Sequence, residues 1–139
     1  MDFLNELSAM ANKKGGYNME SKAENPLISE IHQLLMEIKI SHYNASARDF
    51  THQALGEAYD AVGKFADEIS EKLMGYCGSR VSEMTLAPCC ACPAIEIGGK
   101  IIALGDKISA YGKAHGYSDL ENIGQSFSGA GAQLRYLVG

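Results

Sequence analysis

The chain has 139 residues, 46% of them hydrophobic, and a net charge of −5. That length suits one domain around one core, and the composition excludes global disorder. No apolar run reaches a bilayer span of about 20 residues, and the acidic balance argues against nucleic-acid binding, which needs clustered Lys and Arg.

Residues 1–24 read as an arm. Asp2 to Met10 has the pattern of a short amphipathic helix through Phe3, Leu4 and Leu7, and Lys13-Lys14-Gly15-Gly16 interrupts it. Lys13, Lys14 and Lys22 are outnumbered by Asp2, Glu6, Glu20 and Glu24, so the arm does not read as a DNA-binding tail. No basic region followed by an apolar stretch opens the chain, which predicts a cytoplasmic protein.

Residues 25–139 read as a four-helix bundle. Asn25-Pro26 is a helix start: Asn caps the free amides, and Pro is tolerated in the first turn. Leu27, Ile31, Leu34, Leu35 and Ile38 then form one apolar stripe at helical period, and the helix runs to about Asn44. A second helix, Asp49 to Tyr76, buries Ala54, Ala58, Val62, Phe65, Ile69 and Leu73. Gly75 and Gly78 are its expected stops.

A break over 77–95 contains Pro88, Pro93 and all four cysteines. A third helix, Ile97 to Ala114, follows through Ile101, Leu104, Ile108 and Tyr111. Its Gly98, Gly99, Gly105 and Gly112 each cost roughly 1 kcal/mol relative to Ala unless close helix contact offsets it. Ser118-Asp119-Leu120-Glu121 reads as a capping box opening a fourth helix through Leu120, Ile123, Phe127, Leu134 and Leu137. Gly129-Ala130-Gly131 is its weak point or its close-contact point. The fold expected is all-α.

Two groups of side chains carry chemistry. His42 and His52, with Asp67 and Glu71 one turn apart on a shared helix face, offer the imidazole and carboxylate donors that suit iron and other first-row metals. On spacing alone, two acids placed like Asp67 and Glu71 are more often a solvated face than a metal site. Cys77, Cys89, Cys90 and Cys92 are the second group. Cys89-Cys90-Ala91-Cys92 has CxxC spacing, which suits zinc, redox exchange or simply free thiols in a tight loop. His32 reads as a surface residue, and His115 as a cation at a helix C-terminus.

Leu35-Met36-Glu37-Ile38-Lys39-Ile40-Ser41-His42-Tyr43-Asn44 resembles the first-helix signature of the Dps (DNA-binding protein from starved cells) branch of the ferritin-like proteins. There, a Lys precedes a His-aromatic-Asn triplet. Phe50-Thr51-His52 and Asp67-Glu68-Ile69-Ser70-Glu71 are similar to the second His and the Asp-x-x-x-Glu segment of that family, with a matching interval between them. The resemblance covers residues 35–75. It implies a ferritin-like bundle whose subunits share an iron site, His42 and His52 from one subunit facing Asp67 and Glu71 of a two-fold mate. It further implies a homo-oligomer, often a hollow dodecamer, that oxidises Fe(II), stores the mineral and limits oxidative damage. Lys39 is expected as an ion-pair partner.

Three departures stand against that pattern. The linker between His42 and His52 is short. Gly56 occupies a position that is acidic in the family, with Glu57 and Asp60 the nearest substitutes. The basic tail is missing. They favour the alternative of a non-enzymatic assembly protein on the same fold, for example one encoded by a phage. DNA compaction is a weaker third reading.

Overall fold

A computed structural model describes residues 25–139. The arm, with the helix expected over Asp2 to Met10, lies outside the described residues. Four helices make up the described fold: α1, Pro26–Asn44; α2, Phe50–Cys77; α3, Ala94–His115; and α4, Ser118–Val138. No strand occurs among the described residues.

The helix ends follow local chemistry. Asn25 accepts the Leu27 N–H at 3.0 Å, and Pro26 fills the first turn of α1. Asp49 accepts the Thr51 N–H at 3.3 Å to start α2. Gly78 ends that helix with a φ of 72°, whereas Gly75 stays within it. α3 starts earlier than its apolar stripe suggests, because the Pro93 carbonyl takes the Glu96 and Ile97 amides at 2.9 and 3.0 Å. The capping box expected at Ser118 does not form. Gly116, with a φ of 76°, turns the chain so sharply that Tyr117 becomes the cap residue and Ser118 is already helical. The Tyr117 carbonyl then accepts the Glu121 N–H at 3.1 Å.

α1 and α2 form one antiparallel hairpin, and α3 and α4 form another. Lys100–Glu37 and Lys107–Glu30 ion pairs, at 3.1 and 2.9 Å, set α3 antiparallel to α1. Tyr76 bonds Asp119 at 2.6 Å, and Phe65 meets Phe127 at a 6.0 Å ring separation, so α4 runs antiparallel to α2. Residues 79–93 join the hairpins as one long crossover without regular structure, giving an up-down-down-up order. The crossover lies along α1. Gln33 exchanges hydrogen bonds with Ala87, accepting its N–H at 2.9 Å and donating to its carbonyl at 3.2 Å. Buried Ser41 accepts the Cys92 N–H at 2.9 Å.

The apolar stripes converge on one core. Ile31, Ile38, Val62, Ile69, Ile101, Ile108, Leu120 and Phe127 are fully enclosed. Each such side chain contributes about 1.5–3 kcal/mol of transfer free energy. Leu35, Phe65, Tyr111, Ile123 and Leu137 sit at the margin and are only partly covered.

α3 and α4 touch backbone to backbone. A Cβ on Gly124 would lie 2.5 Å from the Ser109 amide nitrogen, and one on Gly131 would lie 2.5 Å from the Gly98 carbonyl oxygen. Gly98, Gly105 and Gly112 therefore repay their cost in helix propensity by letting the helices close up, while Gly99 and Gly129 face open space.

Candidate metal centre

His42 stands in the last turn of α1 and His52 in the first turn of α2, so the short linker folds them against each other. The His42 Nδ1 lies 2.8 Å from the His52 carbonyl, and the His52 Nδ1 lies 2.9 Å from the His42 carbonyl. A carbonyl only accepts, so each Nδ1 carries its proton and donates. In the neutral ring this leaves the lone pair on Nε2. The two rings stack with centroids 3.9 Å apart and both are half-buried. A ring fixed through Nδ1 with Nε2 open is the usual posture of a metal-ligating histidine.

Gly56 makes this packing possible. A Cβ there would lie 3.0 Å from His42 Cε1 and 3.3 Å from its Nδ1. The imidazole thus occupies the space into which a side chain at position 56 would first project. Glu57 and Asp60 are exposed, and Glu57 accepts a bond from Gln53 at 3.4 Å on the outer surface. Among the described residues Lys39 forms no ion pair. Its ammonium lies over the Tyr59 ring at 4.3 Å and the Tyr43 ring at 5.4 Å, where the ring faces supply the negative potential.

Asp67 and Glu71 lie on the exposed face of α2 and take part in no ion pair among the described residues. Helical rise puts Asp67 about 22 Å beyond His52, so one chain does not bring the four residues together. Among the described residues no three His, Cys, Asp or Glu side chains cluster as metal ligands.

The cysteines divide. Cys77 ends α2 beside Tyr111, whose hydroxyl also receives the Asn25 side chain, at the start of α1. Cys92 is tied to Ser41, about 24 Å away along α1. A single zinc site holding all four thiolates is therefore not assembled in this chain, because Zn–S bonds of about 2.3 Å demand near-contact between the sulfurs. Cys89 lies near Gln33 at 3.3 Å, Cys90 is exposed, and the Cys92 sulfur is 3.6 Å from the Lys100 ammonium. Gln33, Glu37, Ser41 and Lys100 organise this segment. Nothing in the local sequence distinguishes them from ordinary polar positions on a helix.

His32 is half-buried and bonds back to the Ile28 carbonyl at 2.9 Å. His115 sits in the last turn of α3 as expected, and stacks on Tyr111 at 4.1 Å. No helix is long and apolar enough to cross a membrane among the described residues.

Comparison with family models, curated proteins and solved structures finds no match for this chain. The class defined by the fold is a four-helix bundle with one long crossover.

Proposed function

We propose that this chain is the subunit of a Dps-like, ferritin-like homo-oligomer that oxidises Fe(II) and stores the product. The reciprocal His42–His52 pair carries the reading. It supplies two oriented imidazoles at the surface of the α1–α2 hairpin, and too few donors to hold iron alone. Asp67 and Glu71 supply two exposed carboxylates on the same hairpin, out of reach within one chain. A two-fold mate would bring one set to the other. Three features support such a mate on this face. Tyr43 is 66% exposed and Phe50 52% exposed beside the histidines, with Met36 exposed further along α1. The single long crossover between two antiparallel hairpins is also the connectivity of ferritin-like bundles.

Iron is the substrate here. The imidazoles and carboxylates would bind Fe(II), and the carboxylates would balance the charge gained on oxidation. The test compares aerobic and peroxide-driven Fe(II) oxidation by the wild type and the Asp67→Asn/Glu71→Gln variant, against buffer. The wild type should exceed buffer and retain iron through gel filtration, and the variant should fall steeply while keeping its assembly. Equal rates for the two proteins, or a solution mass near the 14.9 kDa of one chain, would sink the shared-site reading.

Gly56 favours a second reading, an assembly protein that has lost the reaction. The His42 ring packs against that glycine, so the acidic group of the family pattern has no counterpart. A large assembly that oxidises iron no faster than buffer would select this reading.

A further inference from the structure

The crossover presents its thiols to a cation on α3. Lys100 lies in a three-way contact: its ammonium meets Glu37 at 3.1 Å and the Cys92 sulfur at 3.6 Å. Cys89 and Cys92 border the same strip of α1, since Gln33, which touches Cys89, and Glu37, which holds Lys100, are one helical turn apart. Both thiols are half-buried and free, and their segment belongs to no helix. Cys92 also stands just before the Pro93 cap of α3, at the positive end of its dipole.

We propose that Cys92 is a peroxide-reactive thiol and Cys89 its resolving partner, so that residues 89–92 form a dithiol site reducing small hydroperoxides. The reaction needs no metal. The Cys92 sulfur, as thiolate, attacks one oxygen of the hydroperoxide; an S–O bond forms, the O–O bond breaks, and hydroxide or alkoxide leaves and is protonated. Cys92 is then a sulfenic acid. The Cys89 sulfur attacks it, the S–S bond forms, the S–O bond breaks, and water departs. Two thiols have lost two electrons and one peroxide has gained them.

Lys100 is the positioning residue. Its charge faces the sulfur that must become anionic, the environment that marks reactive cysteines. The Glu37 carboxylate raises the Lys100 pKa above the ordinary lysine value, against the opposing effect of partial burial, and Cys92 acts in the same direction as Glu37. The ammonium therefore remains charged throughout the neutral range. Closing the disulfide requires the crossover to tighten locally, but it breaks no bond within a helix. The inference does not depend on the iron reading.

The experiment uses full-length protein, freed of metal with a chelator, reduced, and exposed to hydrogen peroxide at neutral pH. Thiols are then alkylated and mapped by mass spectrometry. Exposed Cys77 is the internal reference. Cys92 should oxidise roughly tenfold faster than Cys77 and end in a bridge with Cys89. Cys89→Ser should leave a sulfenic acid on Cys92 that dimedone traps. Lys100→Gln should remove most of the rate advantage, and Lys100→Arg should retain it. If Lys100→Gln fails to fold, judged by circular dichroism, the Cys89→Ser and Lys100→Arg results decide. Oxidation of Cys92 within about twofold of Cys77, a bridge that excludes Cys92, or zinc that shields these thiols in the isolated protein overturns the proposal. Asp67→Asn/Glu71→Gln should leave thiol oxidation unchanged, which separates this site from the iron reading.

Discussion

His42 and His52 hold each other: each ring donates its Nδ1 proton to the other residue's backbone carbonyl, at 2.8 and 2.9 Å. The pair closes the α1–α2 turn and leaves both Nε2 atoms without a protein partner among the described hydrogen bonds. His42→Ala and His52→Ala should each lower stability by about 1 kcal/mol. The double variant should cost less than the sum of the two, because the ring stacking at 3.9 Å is lost with either ring, while each hydrogen bond to a backbone carbonyl is lost only with its own donor. Urea midpoints check this. Additive losses would show that the rings act separately.

The glycines predict opposite signs for one chemical change. Gly124→Ala would put a methyl 2.5 Å from the Ser109 backbone nitrogen, which has no side chain to swing aside. It should destabilise by roughly 1–3 kcal/mol. Gly75→Ala and Gly129→Ala meet nothing within 4 Å and should stabilise by up to about 1 kcal/mol each. Thermal midpoints of the three variants decide it.

The Tyr76–Asp119 bond predicts a stability window with two edges. The Tyr76 hydroxyl, with Lys72 assisting at 3.3 Å, holds the Asp119 carboxyl below the usual aspartate range. A depressed carboxylate pKa stabilises the fold above the unfolded value, and that gain is lost as pH falls through the folded one. Asp119 in turn raises the Tyr76 pKa, chiefly by accepting its hydrogen bond, so the matching gain is lost as pH rises through the alkaline range. Asp119→Asn should flatten the acid edge, and Tyr76→Phe should remove the alkaline one. Urea midpoints followed across pH would reveal either failure.

Ser41 fastens the crossover by accepting the Cys92 N–H at 2.9 Å while donating to the Glu37 carbonyl at 2.7 Å. Ser41→Ala should orphan that amide and cost about 1–3 kcal/mol. Amide exchange should accelerate at Cys92 before it does in α1. Uniform acceleration across both would instead indicate a general loss of packing.

Duplex DNA should not be retained. The chain carries a net charge of −5, and counterion release has few cations to drive it. A gel shift at about 0.15 M salt by sub-micromolar protein would contradict this.

The bundle was legible because its signals are local. Asn25-Pro26 starts α1 by its own backbone chemistry, and Ile31, Ile38, Val62 and Ile69 share periodicity with burial. The Ser118 box failed because a neighbouring turn at Gly116 shifted the cap by one residue, a competition that the motif does not contain. Gly98, Gly105 and Gly112 announced a cost whose compensation lies on another helix. The candidate metal centre was legible as residue types only. That His42 and His52 clasp each other, while Asp67 lies far along α2, depends on how a short linker folds. The contact of Cys92 with Lys100 arises from where the crossover runs, and no residue near Cys92 in the sequence encodes that path.

The backbone contact between α3 and α4 also assigns mechanical roles. Sliding one of these helices past the other would drive Ser109 or Ile101 into a chain with no slack at Gly124 and Gly131. The next alignment that again matches glycine to glycine is about 10 Å away, too far to visit while folded. This hairpin is consequently the stiff spine of the molecule. The α1–α2 hairpin rests on it through side chains and three ion pairs, which can be repacked. In the assembly proposed above, any adjustment to a second subunit would be taken up by α1 and α2, the hairpin that bears the histidines.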